Sequence, residues 1–282
     1  MQFLLWVTLI WSFSFSLIGE FLAGRIDPYL AVASRMALAL LLFLPWLLRY
    51  PTAPRQALAL SGIGAVQLGL MYLLFYHSFL YLTVAEVLLF TILTPVYVAV
   101  LDQLWRRQPL QFSWLGPALL AVLGAFVIRY AKPDSDFWLG LLLVQAANLC
   151  FAFGQVAYRQ LALGEPRQQL HSFGWFFVGA SVVAALGCAF FANWQQAPTR
   201  QSDWLILLWL GLVASGVGYW LWNAGARQVN ASQLAVMNNL LIPAGLVVNF
   251  VLWQQQVNWL QFAAGSALLL LSLGWANRLQ QG

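Results

Sequence analysis

The side chains able to do chemistry in this sequence are few, and most stand singly inside apolar runs. Arg35, Glu20, Glu86 and His77 are the ionisable ones. Within a lipid-buried run each needs a partner or water. Arg35 lies about seven residues into its run, ~10 Å deep at 1.5 Å per residue. Glu20 closes one run and Glu86 opens another. All three fall in the same half of a bilayer, so an ion pair from Arg35 to Glu20 or Glu86 is expected, gating the outer mouth of a cavity or bracing it. An Arg35 that snorkels outward is the other reading. Glu86, with His77 about two turns away, is a candidate proton acceptor for coupling; taken alone, His77 reads as a satisfied polar residue near the outer surface.

Uncharged polar groups are patterned. Residues at i, i+3, i+4 and i+7 share a helix face, which aligns Gly69, Tyr72 and Tyr76, and likewise Gly216, Tyr219 and Asn223. Asn148, Asn238, Asn239 and Asn249 are amides with four hydrogen-bonding positions each, costly to leave against lipid. Pro95 and Pro243 are helix-break candidates, each freeing a carbonyl one turn earlier. Aromatic walls with amide donors suit a pocket for an amphipathic zwitterion or weak acid. Helix–helix adhesion, at about 0.6 kcal/mol per bond, is the alternative, and for Asn249 the better one. No metal cage is expected, because His77 and His171 fall on opposite sides and Cys150 and Cys188 lack partner spacing. Gly-x-Ser-x-Gly, His-Glu-x-x-His and Gly-x-x-x-x-Gly-Lys are absent, so hydrolase, metalloprotease and ATPase readings lose their motifs. No cofactor is expected.

These residues must be positioned by membrane helices. Of 282 residues, 62% are hydrophobic and 7% charged, against roughly 25% charged in a soluble domain; mean hydropathy is +0.77. So few charges cannot coat a water-soluble surface, and disordered chains are not this apolar. The net charge of +5 reads as loop arginines beside anionic headgroups, not as a nucleic-acid footprint. Runs of about 20 apolar residues place ten spans at 3–22, 28–48, 56–79, 84–104, 113–130, 137–160, 172–192, 203–226, 231–253 and 259–277. The stretch 56–104 divides at a turn near Leu80 to Thr83. The first run lacks the basic head and cleavage site of a signal peptide, and the strand alternation of a β-barrel is absent. With ten spans the termini share a side. That side carries eight arginines against four basic residues opposite, so both termini are expected in the cytoplasm.

The second half repeats the first. A shift of 148 lays Leu93-Thr-Pro95 on Leu241-Ile-Pro243 and Leu104-Trp105 on Leu252-Trp253. A shift of 147 lays Gly69 and Tyr72 on Gly216 and Tyr219, and one of 138 lays Phe13-Ser-Phe15 on Phe151-Ala-Phe153. Residues 1–130 and 137–278 therefore read as two five-helix repeats. An odd number of crossings makes the copies enter the bilayer in opposite senses, the architecture of carriers that open a midplane site alternately to each side.

The segments Leu5-Trp-Val-Thr-Leu-Ile-Trp11, Ser34-Arg35-Met-Ala-Leu-Ala, Leu93-Thr-Pro95-Val-Tyr-Val and Leu241-Ile-Pro243-Ala-Gly-Leu occur in order along a ten-span duplicate. Together they resemble the EamA-type ten-helix branch of the drug/metabolite transporter superfamily, nearest to its carboxylate, amino-acid and amine transporters. Members of that family usually close helices four and nine with Gly-Glu; this chain has Arg107-Gln108 and Gln255-Gln256 there. The resemblance implies an all-α integral membrane protein of ten transmembrane helices in two inverted-topology repeats, exporting a small metabolite across a bacterial inner membrane. The candidate binding set is Trp11, Ser14, Tyr72, Tyr76, Asn148, Tyr219, Asn223, Asn238 and Asn239, with spans one, three, four, six, eight and nine along the path and five and ten peripheral. A lipid or isoprenoid enzyme would need a paired acidic metal motif; a channel-like facilitator would differ in showing no saturation or counterflow. The expected partners are a small molecule and the bilayer. Ala121, Ala125, Ala263 and Ala264 could form a weak homodimer face, or pack within the molecule.

Overall fold

The computed structural model describes residues 2–107, 109, 135–229 and 231–253, with isolated positions elsewhere in 110–134 and 254–282. Among the described residues every regular element is helical. Among the described residues seven helices are long and apolar enough to cross a bilayer: Gln2–Leu22, Pro28–Arg49, Pro54–Ser78, Val84–Trp105, Ser135–Gln160, Gly174–Phe191 and Gln201–Ala226. An eighth apolar helix, Ala231–Trp253, follows. They correspond to expected spans one to four and six to nine, and a turn separates the third from the fourth where the sequence placed it. Spans five and ten lie outside the described residues apart from isolated positions. Ala121 and Ala125 fall among the undescribed; Ala263 and Ala264 are exposed.

Helix starts follow local chemistry. Asp27 caps span two, its Oδ1 accepting from the Tyr29 and Leu30 N–H groups at 2.9 and 3.1 Å, with Pro28 at the first helical position. Its Oδ2 accepts from the Asn193 N–H at 3.1 Å, tying the loop between spans one and two to the loop after span seven. Thr83 and Glu86 form a capping box at the start of span four.

The two halves interleave. Span one packs on spans eight and nine, span two on seven and eight, span three on six and seven, and span four on six and nine. Exchanging one with six, two with seven, three with eight and four with nine maps these contacts onto themselves. Spans three and seven approach through glycines: a Cβ on Gly64 would sit 1.8 Å from the Phe176 carbonyl oxygen, and one on Gly179 1.7 Å from that of Ser61. Two π-helical segments, Ala65–Leu70 in span three and Trp209–Val217 in span eight, precede Tyr72 and Tyr219. Such wide turns recur at functional sites. Here they aim two tyrosines at the bundle centre.

Candidate substrate cavity

Span four is broken where Pro95 removes a donor. Its helix runs Val84–Phe90, tightens into a 3-10 turn at Thr91–Leu93, and resumes at Thr94–Trp105. Pro95 cannot donate to the Thr91 carbonyl, and Thr94 does so instead, through its backbone N–H and through its hydroxyl at 2.7 Å. With the Thr94 N–H so diverted, the Phe90 carbonyl loses its α-helical (i+4) donor. It accepts instead from Gln145 Nε2 at 3.1 Å and Asn148 Nδ2 at 3.0 Å, both on span six. Tyr97 completes this network by donating to Gln145 Oε1 at 3.1 Å. Pro243 is different. The helix Ala231–Trp253 runs through it unbroken, and the ring is exposed on the outside of the bundle, so the expected break in span nine is not formed.

Arg35 is fully buried, and its guanidinium meets hydroxyl groups. Nε donates to Ser215 Oγ at 3.1 Å, Nη1 to the Tyr76 hydroxyl at 2.8 Å and Nη2 to the Tyr72 hydroxyl at 2.8 Å. The Tyr72 ring lies under it, with Cζ 4.2 Å from the centroid. The expected ion pair with Glu20 or Glu86 does not form, and the side chain does not snorkel. The reason is local: Tyr72 and Tyr76, one turn apart on span three, present both hydroxyls to Arg35. Glu86 meanwhile accepts from the Thr83 N–H and hydroxyl at 2.8 and 3.0 Å. His77 Nδ1 bonds the Leu73 carbonyl at 2.6 Å, and its ring meets Tyr29 edge-on. No hydrogen bond joins His77 to Glu86 among the described residues.

Arg35 and Tyr72 border a central cavity between the spans. Of the candidate set, Trp11, Ser14, Tyr72, Asn148, Tyr219 and Asn238 line it, and so does Arg35. Span two thus joins the six spans expected along the path. The walls are aromatic: Trp11 lies 4.8 Å from Tyr219 and 5.1 Å from Trp222, ring centre to ring centre. Trp11 is fixed by donating from Nε1 to the Ala214 carbonyl at 2.8 Å, inside the π segment of span eight.

Tyr76, Asn223 and Asn239 do not line the cavity. Tyr76 and Asn223 keep the right helix face but sit one turn off in depth, about 6 Å at 1.5 Å per residue. Asn223 Oδ1 accepts from Gln67 Nε2 at 3.3 Å, and the parallel pair Gln155 Nε2 to Asn238 Oδ1 spans 3.2 Å. Asn239, next to Asn238, is turned about 100° away on a 3.6-residue helix; it is buried with neither amide atom hydrogen-bonded among the described residues. Asn249 accepts from Ser16 Oγ at 3.4 Å, an adhesive contact between spans one and nine. Gln67, Gln145, Gln155 and Ser215 were not singled out from the sequence. The three glutamines carried the same signal as the asparagines, an amide inside an apolar run.

A helical bundle of membrane length around a central cavity with aromatic walls and a few polar groups is the build expected of a membrane transporter. The chain belongs to the EamA-like transporter family, whose model matches residues 1–130 and 138–277. It is 46% identical over 278 residues to the biotin transporter of Salmonella typhimurium, covering 99% of this chain and 93% of that protein. The biotin transporter of Escherichia coli K12 is 45% identical over the same shares. A probable biotin transporter of Pseudomonas aeruginosa is 46% identical over 281 residues, 99% of this chain and 98% of that one. A crystal structure at 18% identity superposes with a TM-score of 0.67 over 96% of this chain and 94% of its own, a likeness of fold alone. The protein is a multi-pass membrane transporter, not an enzyme.

Proposed function

We propose that this chain carries biotin, or a monocarboxylate of similar form, by alternating access at the central cavity. One observation carries the reading: Arg35 is a buried cation on the cavity wall whose hydrogen-bond partners among the described residues are all hydroxyl groups. A buried charge without a counter-charge costs several kcal/mol, and one retained within a membrane span marks a functional site. Three of its five N–H donors are used, which leaves two for a carboxylate. Biotin offers that carboxylate, an aliphatic chain for the aromatic walls, and a compact bicyclic head. The relatives named for biotin support the same substrate. Amino acids and amines fit less well, because among the described residues no acidic side chain lines the cavity to receive an ammonium.

Alternating access rests on two inverted repeats, 1–130 and 137–278. The exchange symmetry of the inter-half contacts, the paired π segments in spans three and eight and the family match in two segments support that duplication. The arginine distribution supports an inner-membrane protein with both termini cytoplasmic. Net flux then follows the prevailing gradient in either direction. Counterflow tests the reading. Proteoliposomes loaded with unlabelled biotin are expected to accumulate labelled biotin transiently above equilibrium, saturably. Flux without saturation or counterflow would indicate a channel, and an absence of biotin flux would remove biotin as the substrate.

A further inference from the structure

The cavity has two chemically opposite walls. Arg35 and Trp222, from spans two and eight, bring donors to it. Arg35 has spare N–H groups, and the Trp222 indole N–H has no partner among the described residues. Spans four and six supply Thr91, Thr94 and Asn148, and the hydrogens of these three are spent elsewhere. Thr91 Oγ1 donates to the Leu88 carbonyl at 2.6 Å, and Thr94 Oγ1 to the Thr91 carbonyl at 2.7 Å. Asn148 Nδ2 uses both of its hydrogens, on the Phe90 carbonyl at 3.0 Å and on Gln145 Oε1 at 3.3 Å. A carbonyl can only accept, so the Phe90 oxygen fixes which way this amide points. What remains on this wall are the lone pairs of two hydroxyls and of Asn148 Oδ1, none of which takes a hydrogen bond from a described residue in the cavity.

We propose that Thr91, Thr94 and Asn148, on spans four and six, form an acceptor pole that reads N–H groups on the substrate, apart from the Arg35 pole on span two that takes its carboxylate. The inference rests on the carboxylate reading of Arg35 and deepens it. It defines the substrate class as a monocarboxylate whose far end bears N–H donors, which the cyclic urea of biotin supplies. A site built to hydrogen-bond an N–H rejects an analogue lacking it far more strongly than an apolar pocket could, because its buried acceptors are left unpaired. The Pro95 break contributes to this pole, since the Phe90 carbonyl it frees takes the Asn148 amide.

The test compares biotin with lipoate, a monocarboxylate with an aliphatic chain and a ring that carries no N–H. Competition against labelled biotin on the purified full chain is expected to place lipoate at least tenfold weaker, and biotin alkylated on its urea nitrogens weaker still. In Thr94→Val the ratio of biotin to lipoate affinity is expected to fall about tenfold, the loss of one buried hydrogen bond, and Thr94→Ser restores it. Lipoate competing as well as biotin, or Thr94→Val weakening both alike, would overturn the acceptor pole while leaving the Arg35 reading intact. Failure of the unmodified chain to bind either monocarboxylate would overturn both.

Discussion

Replacing Arg35 with Met separates two roles that a buried arginine can have, bracing a fold and binding an anion. As a brace, the guanidinium makes charge-assisted hydrogen bonds to Ser215, Tyr72 and Tyr76 at 2.8–3.1 Å, each worth about 1.5–3 kcal/mol. Set against them is the desolvation of a fully buried cation, itself several kcal/mol. The two nearly cancel, so Arg35→Met is expected to shift the melting temperature by no more than about 5 °C in either direction. As an anion site the arithmetic is one-sided. A carboxylate about 4 Å from the charge gains roughly 4 kcal/mol at an effective dielectric of 20, which is about a thousandfold in affinity. Arg35→Lys keeps the charge but loses the fork and is expected to fall between, closer to wild type. Equilibrium binding of labelled biotin and a thermal-shift measurement on the same preparations give both numbers. Biotin affinity within threefold of wild type in a folded Arg35→Met protein would refute the carboxylate role. A melting temperature lowered by about 20 °C would show that the residue is a brace.

Three further outcomes follow from particular contacts. Biotin methyl ester, which keeps the shape and removes the charge, is expected to compete with labelled biotin at least 100-fold more weakly than the free acid, by the same Coulomb argument. Gly179→Ala places a Cβ 1.7 Å from the Ser61 carbonyl oxygen; backbone cannot yield as a side chain does, so a loss of about 2 kcal/mol or more is expected, read as a lower melting temperature. Trp11→Phe keeps the ring contacts with Tyr219 and Trp222 but strands the Ala214 carbonyl, an expected cost of about 1–3 kcal/mol with a parallel rise in the half-saturating biotin concentration.

The span pattern was legible because lipid imposes it: every backbone group in a run of about 20 apolar residues must be satisfied within a helix. The faces carrying Tyr72 and Tyr219 were legible for the same reason, since helical spacing fixes angle. Depth and partner choice were not. Asn223 and Tyr76 share a face with the cavity residues yet sit a turn away, and nothing in spacing alone says how tall the cavity is. Arg35 was matched with carboxylates because opposite charge is the obvious partner; two tyrosines one turn apart on a neighbouring span supplied hydroxyls closer to hand. The π segments and the 3-10 turn at Thr91–Leu93 are local departures from the α-helix that span length and face spacing do not encode. Of these the proline gave a signal at residue 95, whereas at 243 the same residue type sits on the outside and breaks nothing. Gln67 and Gln155 carry the same polar signal inside apolar runs as the asparagines they bond, Asn223 and Asn238.

The central claim is that the buried cation of span two holds the substrate carboxylate. A structure of the full chain determined with biotin bound tests it most directly. The carboxylate is expected within hydrogen-bonding distance of the Arg35 guanidinium, and the urea nitrogens against Thr91, Thr94 and Asn148. Biotin bound with its carboxylate remote from Arg35, or outside the cavity altogether, would contradict it.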